Sequence, residues 1–87
     1  MTDQEIVELI NKSLAEEFEL DPAMMTPDVH IYEGLGLDSL DTVDMVIVLE
    51  AAFKFKVREE EEIRKIRTLG DIHRFVINKK KAIEQQV

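Results

Sequence analysis

The residue best placed for chemistry in this chain is Ser39, which follows the glycine-containing segment 34–37 and begins a strongly patterned helix. A catalytic serine of the Gly-x-Ser-x-Gly type needs glycine two residues later, and position 41 is Asp. The carboxylates of Asp38 and Asp41 disfavour the alkoxide that a nucleophilic serine needs. The sequence therefore predicts that Ser39 receives a group and that the chain is not an enzyme.

A helix N-terminus suits a phosphate ester on this serine. The first backbone N–H groups of a helix have no partner within the helix, and the helix dipole is positive at that end. We therefore expect Ser39 to be an attachment point with free N–H groups nearby. The alternative is that its hydroxyl serves only as a helix cap.

The composition indicates one small domain over residues 1–87, with 45% hydrophobic residues. Cysteine is absent, so any thiol chemistry would need a prosthetic group. No apolar run is long enough to span a membrane, and the N-terminus is acidic, unlike a basic signal region. We expect a cytoplasmic protein without membrane insertion.

The charge is divided unevenly along the chain. Residues 1–53 hold thirteen Asp or Glu and one Lys, for a net charge of −12, whereas residues 54–87 have a net charge of +4. This division predicts a bipolar surface whose acidic part seeks basic partners rather than nucleic acid. The alternative is that the acidic surface only keeps the protein soluble.

The apolar pattern predicts an all-α fold. A capping box of Thr2 and Glu5 opens a first helix over about Asp3 to Glu17, and Asp38 caps a second helix from Ser39 to about Phe53. Residues 19–37 contain both prolines and two of the three glycines, which predicts a long functional loop without a regular element. Its apolar residues are expected to hold it on the core: Val29, Ile31, Tyr32, Leu35 and Leu37.

The last third of the chain predicts two further helices. A charged stretch, Glu59 to Ile66, indicates a short third helix of one or two turns. Thr68 can cap the last helix, and residues 79–87 are expected to fray. One side of that helix is apolar: Leu69, Ile72, Val76 and Ile83.

The second helix has two apolar sides. At about 100° per residue, one sector is expected to face the core: Met45, Val46, Leu49, Ala52 and Phe53. The opposite sector is flanked by Asp44 and Glu50: Leu40, Val43, Ile47 and Ala51. A small domain buries only one side of such a helix, so the second side predicts a docking surface for an apolar groove with a basic rim. The alternative is that the short third helix covers it.

In this context the chain resembles the acyl carrier proteins of fatty acid and polyketide synthesis over roughly residues 3–78. Residues 35–44 resemble the family's Asp-Ser-Leu motif and the helix after it. Leu49-Glu50, Phe53, residues 60–66 and the Thr-Leu opening of the last helix continue the match.

The resemblance implies a four-helix bundle with three longer helices, a short third helix and a long first loop. It implies that a phosphopantetheinyl transferase attaches 4′-phosphopantetheine from coenzyme A to Ser39, with Mg²⁺ serving the transferase. Acyl groups would then be held as thioesters on the arm of a monomeric carrier. Acyl-transferring and chain-modifying enzymes would recognise the second helix through Asp38, Leu40, Asp41, Val43, Asp44, Ile47 and Glu50.

Two other functions stay open. An aminoacyl or peptidyl carrier would share the fold, although such carriers more often show a Gly-Gly-x-Ser approach. A non-catalytic helical adaptor would never gain a prosthetic group. His73 has no second ligand at a useful spacing and is interpreted as structural or solvated, and the glutamates at 59–62 lack an EF-hand pattern.

The segment after the second helix departs from the family pattern. Lys54, Lys56 and Arg58 stand where housekeeping members usually show acidic or neutral residues, and Ala51 and Ala52 stand where acids are common. Bases beside an acidic docking surface would repel enzymes that bind an all-acidic carrier. We therefore expect a specialised carrier.

Overall fold

The computed structural model describes residues 1–56, 63 and 65–85. Three α-helices make up most of these residues: α1 (Asp3–Phe18), α2 (Ser39–Phe53) and α3 (Leu69–Gln85). The predicted all-α fold class is confirmed, and the described ranges contain an isolated bridge between His30 and Thr68 but no strand. The predicted short third helix, Glu59 to Ile66, lies largely outside the described residues.

Helix α1 begins with the predicted capping box. The Glu5 N–H donates to Thr2 Oγ1 at 3.1 Å, and the Thr2 N–H donates to Glu5 Oε1 at 2.8 Å. The second of these bonds favours the charged carboxylate and lowers the pKa of Glu5. The helix ends at Phe18, one residue beyond the prediction, where Glu19 turns the chain in the left-handed conformation with φ 54°.

The segment between α1 and α2 contains a 3₁₀ helix, Pro22–Met24, where the sequence predicted no regular element. Asp21 Oδ1 accepts a hydrogen bond from the Ala23 N–H at 3.0 Å, and Pro22 has the fixed φ that suits a first helical position. These two residues are local signals for a helical turn. The turn brings Met25 into the core, with 7% of its surface exposed.

The second part of this segment is joined to the start of α3 by backbone hydrogen bonds. The Ile31 N–H donates to the Arg67 carbonyl and the Leu69 N–H donates to the Val29 carbonyl, both at 3.0 Å. The Gly70 N–H donates to the Pro27 carbonyl at 2.8 Å. A Cβ at Gly70 would lie 2.9 Å from that carbonyl oxygen, so glycine permits this close approach.

Side chains from all three helices form the core. The innermost residues are the following: Ile6, Ile10 and Leu14 of α1, Met45, Leu49 and Phe53 of α2, and Leu69, Ile72 and Val76 of α3. Ile31 and Leu37 join them from the segment before α2. Because α2 contributes residues of one side only, its opposite side stays outside this core.

Helix α3 begins as predicted after Thr68 and ends later than predicted. The Asp71 N–H donates to Thr68 Oγ1 at 3.2 Å, and the Asp71 carboxylate accepts from the Arg67 and Thr68 N–H groups. These bonds, led by the one from Arg67, lower the pKa of Asp71. The helix continues to Gln85, so residues 79–85 are helical where the sequence predicted a frayed tail over 79–87.

Two contacts with the N-terminus accompany the longer α3. Lys81 Nζ lies 3.8 Å from a carboxylate oxygen of Asp3, and the Met1 amino group lies 3.5 Å from Glu84 Oε1. Exposed pairs of this kind contribute only about 0–1 kcal/mol each. These contacts join the two ends of the chain, so the local sequence of residues 79–87 gave no sign of them.

His73 is buried between α1 and α3 with 6% of its surface exposed. Its Nε2 lies 2.8 Å from Asn11 Oδ1, which gives the ring a polar partner across the helix pair. Burial lowers the pKa of His73, and the charge of the neighbouring Arg74 adds to the effect. The structure therefore supports the structural interpretation of this residue.

We predict that the free energy of unfolding declines as the pH falls below about 6.5, the ordinary pKa of histidine. His73 takes up a proton more readily in the unfolded chain than in the folded one, so its contribution is complete above that pH and declines toward the lowered folded pKa. Urea unfolding at pH 7.0 and 5.5 should show a smaller pH dependence in His73→Gln than in the wild type. His30→Gln, at an exposed position, is the matched control; an unchanged dependence in His73→Gln would contradict the prediction.

Candidate functional site

A pair of aspartates caps the N-terminus of α2. Asp38 Oδ1 accepts hydrogen bonds from the Leu40 and Asp41 N–H groups, both at 2.9 Å. Asp41 Oδ2 accepts from the Asp38 N–H at 3.0 Å. This is the reciprocal arrangement of a capping box, built here from two carboxylates. It confirms that Asp38 is the cap and that α2 runs from Ser39 to Phe53.

The cap leaves the Ser39 hydroxyl uncommitted. Ser39 is exposed, occupies the first helical position, and takes part in none of the hydrogen bonds that form the cap. The interpretation of Ser39 as a helix cap is therefore wrong. The expected free N–H groups need a correction as well, because Asp38 already accepts from Leu40 and Asp41. A phosphate on Ser39 would meet the helix dipole beside two carboxylates.

The segment before Ser39 is fixed by its own backbone. The Leu37 N–H donates to the Ile31 carbonyl at 3.2 Å, and the Gly34 and Leu35 N–H groups donate to the His30 carbonyl at 2.8 and 3.0 Å. Gly34 permits a tight turn, because a Cβ there would lie 2.5 Å from Val29 Cγ2. Ser39 is therefore presented from a packed segment rather than from a loose loop.

Glycine is needed at position 36 because the backbone there is in the left-handed conformation. Its φ is +73°, and a Cβ would meet no other atom within 4 Å. A side chain at this position would thus be opposed by backbone strain and not by lack of space. The turn at Gly36 allows Leu37 to enter the core while the next two residues face outward.

Tyr32 does not enter the core, although the sequence predicted that it would. Tyr32 is 36% exposed, and its hydroxyl oxygen lies 3.1 Å from Thr42 Oγ1. Thr42 is itself buried, and its Oγ1 donates to the Asp38 carbonyl oxygen at 3.3 Å. A polar chain thus connects the segment before α2 to its first turn. Sequence reasoning missed this pairing, because hydroxyl pairing across ten positions leaves no periodic signal.

The second side of α2 is exposed in the structure. Leu40 is 75% exposed, and Val43 and Ile47 are each 58% exposed. Of the acidic residues expected around them, Asp38 and Asp44 are exposed, while Asp41 and Glu50 are partly buried. Large apolar side chains with such exposures, in one stripe beside carboxylates, form a surface suited to a partner with apolar and basic groups.

Bases follow this surface at the end of α2. Lys54 ends the helix in the left-handed conformation with φ 56°, and Lys54 and Lys56 are both exposed. Between them Phe55 is buried and its ring stacks on Phe53 with centroids 5.9 Å apart. The stacked rings fix the direction of the chain there. Arg58, the third base of the predicted set, lies outside the described residues.

Comparison with known proteins adds independent evidence. A family model described as "Phosphopantetheine attachment site" matches residues 8–76. The chain is 42% identical over 72 residues to "Acyl carrier protein 2" of Ralstonia nicotianae, which covers 83% of this chain and 88% of that protein. It is 33% identical over 79 residues to "Acyl carrier protein" of Thermosynechococcus vestitus, covering 91% and 96%. The chain belongs to the phosphopantetheine-attachment family.

The family's prosthetic group is 4′-phosphopantetheine, which is attached covalently. The residues present fit such a group, because Ser39 offers an exposed hydroxyl oxygen that the cap does not use. No group of His, Asp or Glu side chains suited to a metal ion occurs within the described residues. Among the residues that the structure describes, no helix is both long enough and apolar enough to cross a membrane.

Proposed function

We propose that Ser39 Oγ carries the 4′-phosphopantetheine of this acyl carrier, which holds acyl groups as thioesters for fatty acid or polyketide-type biosynthesis. The observation that carries the proposal is the uncommitted Ser39 hydroxyl, on a first helical turn that a carboxylate cap holds in place. The chain has no cysteine, so the thiol of the thioester must belong to the prosthetic group.

Loading is a phosphoryl-type transfer in which this chain supplies the acceptor. Ser39 Oγ forms a bond to the phosphorus next to pantetheine in coenzyme A, and the bond from that phosphorus to the second phosphate breaks. Adenosine 3′,5′-bisphosphate leaves with the electron pair, and the serine proton goes to a base of the transferase. The carrier's own contribution is placement, since Asp38 and Asp41 fix the first turn and leave the oxygen exposed.

We predict that Ser39→Ala abolishes loading without unfolding the protein. Incubation with coenzyme A, Mg²⁺ and a broad-specificity phosphopantetheinyl transferase should add one prosthetic mass to the wild type and none to the variant. Ser13→Ala, on α1, is the matched control and should load normally. Asp38→Ala should lower the free energy of unfolding by about 1 kcal/mol, the usual cost of a lost cap, whereas Ser39→Ala should not. Mass gain in Ser39→Ala would show that another residue is modified.

We propose further that partner enzymes dock on the exposed side of α2. The apolar contacts would come from Leu40, Val43 and Ile47, and the charges from Asp38, Asp41, Asp44 and Glu50. The exposure of the three apolar side chains supports this surface, because α2 already supplies the core from its other side. Charges at the rim of an interface mainly speed association, while desolvated apolar residues slow dissociation.

We predict that Asp38→Asn, Asp41→Asn and Asp44→Asn together slow association with the transferase and weaken its salt dependence. Asn keeps an acceptor oxygen for the cap, so the change is mainly one of charge. The matched control replaces Glu8, Glu16 and Glu17 of α1 by Gln, which changes the net charge equally on another surface.

Stopped-flow association at low and high salt measures both sets. Equal rates for the α2 variant and the wild type, or equal slowing by the α1 control, would contradict docking on α2. Leu40→Ala should instead raise the dissociation rate, because it removes an apolar anchor.

The bases at the end of α2 are proposed to restrict the choice of partner. Lys54→Glu with Lys56→Glu should raise the steady-state rate of malonyl transfer from a housekeeping transacylase to the loaded carrier, because repulsion from the enzyme's own bases is removed. Lys12→Glu with Lys80→Glu is the control for net charge. An equal or slower rate in the Lys54/Lys56 variant would contradict the proposal.

Several finer features stay predictions. These are the short helix within 59–66 that completes a four-helix bundle, the long loop before α2, the monomeric state and the cytoplasmic location. Neither the adaptor nor the peptidyl-carrier alternative is favoured, because the reported relatives are named acyl carrier proteins.

A further inference from the structure

Thr42 connects Tyr32 to the start of α2 through two hydroxyl contacts. Thr42 Oγ1 lies 3.3 Å from the Asp38 carbonyl oxygen, which can only accept. The single hydroxyl hydrogen of Thr42 is used in that bond. The contact of Thr42 Oγ1 with the Tyr32 hydroxyl oxygen, at 3.1 Å, admits either hydroxyl as donor; with the Thr42 hydrogen used on Asp38, Thr42 accepts there and Tyr32 donates.

This assignment makes the Tyr32 oxygen an acceptor toward other groups. In that assignment its one hydrogen is directed to Thr42 and a lone pair is left for a second partner, on a residue that is 36% exposed. Donation to Thr42 also strengthens the oxygen as an acceptor, because hydrogen bonds in a chain polarise one another. The site therefore favours a ligand group that donates, such as an amide N–H.

The position of this acceptor is set by the helix. Thr42 follows Ser39 by three residues, and residues at that spacing are neighbours on a helix surface, with Cβ atoms roughly 5–6 Å apart. Tyr32 therefore reaches the turn of α2 that begins at Ser39. A group attached to Ser39 Oγ passes this turn if it extends along α2 toward Thr42.

The cleft between α2 and α3 beyond Thr42 is apolar and nearly closed. It is lined by Thr42, Met45, Val46, Leu49, Ile66, Ile72 and Phe75. Its volume of about 10 Å³ leaves room for no more than one water molecule. A cleft of this size does not admit a pantetheine arm, so an arm that follows α2 would lie at the surface, where water or an exposed protein oxygen can accept from its amide N–H groups.

We propose that the Tyr32 hydroxyl oxygen accepts a hydrogen bond from an amide N–H of the pantetheine arm and so directs the arm along the Tyr32–Thr42 edge of α2. The inference rests on the proposed attachment at Ser39. It gives Tyr32 a role in positioning the prosthetic group, beyond its contact with Thr42.

The test uses the full chain loaded with ¹⁵N-labelled 4′-phosphopantetheine, in the wild type and in Tyr32→Phe. The variant keeps the ring and removes only the oxygen. In the wild type, one arm amide should exchange its proton with water roughly two- to tenfold more slowly than in free pantetheine, the range expected for one net hydrogen bond. That protection should be lost in Tyr32→Phe and kept in Thr42→Ser, which retains the hydroxyl.

A second measurement on the wild type does not depend on any variant. The protected arm amide should show a nuclear Overhauser contact to the Tyr32 ring protons. Exchange rates equal to those of free pantetheine in the wild type, unchanged protection in Tyr32→Phe, or no contact to the ring would each overturn the inference. Intact mass of the wild type and of Ser39→Ala separates the two proposals: an unloaded wild type or a loaded Ser39→Ala contradicts the attachment, whereas loading of the wild type alone, without protection, contradicts only the role of Tyr32.

Discussion

The reciprocal cap between Asp38 and Asp41 is the interaction on which the site depends. A serine at the start of a helix ordinarily competes to satisfy the orphan N–H groups of the first turn. Here two carboxylates do so, which leaves the Ser39 hydroxyl outside the helix hydrogen bonds. Ser39 Oγ, the proposed acceptor of the phosphoryl group, is therefore carried on a fixed helical turn and has no competing partner in the cap.

The same cap sets the electrostatics around Ser39, the proposed attachment point. A phosphodiester on Ser39 would lie beside two carboxylates, with the helix dipole as the favourable term. The local charge would then be more negative than in the unmodified chain. This addition would strengthen long-range attraction to basic enzymes and would leave unchanged the apolar contacts proposed for Leu40, Val43 and Ile47, so on this proposal affinity and encounter rate depend on different residues.

The cap can position Ser39 only because the segment before it is itself held in place. Hydrogen bonds join residues 27–31 to the start of α3, and Gly36 makes the left-handed turn that leads to Asp38. Tyr32 and Thr42 add a contact from this segment to α2. The proposed attachment point is therefore tied to both α2 and α3, which explains how the backbone of an exposed residue has a defined position.

The sequence predicts the parts of this arrangement that depend on local patterns. The bounds of α2, its cap and its two apolar sides follow from Asp38 and from helical periodicity. The contact between Tyr32 and Thr42 and the pairing of His73 with Asn11 join distant positions, and no local pattern encodes them. The 3₁₀ helix differs: Asp21 and Pro22 are recognisable signals for a turn, but they lay in a segment interpreted as irregular.

The central claim is that Ser39 carries the prosthetic group, and the most direct test is fragment mass spectrometry of the protein isolated from its native host. The account predicts a phosphopantetheine mass on the peptide that contains Ser39, with the peptide that contains Ser13 unmodified. A prosthetic mass on any other residue, or an unmodified protein throughout, would contradict it.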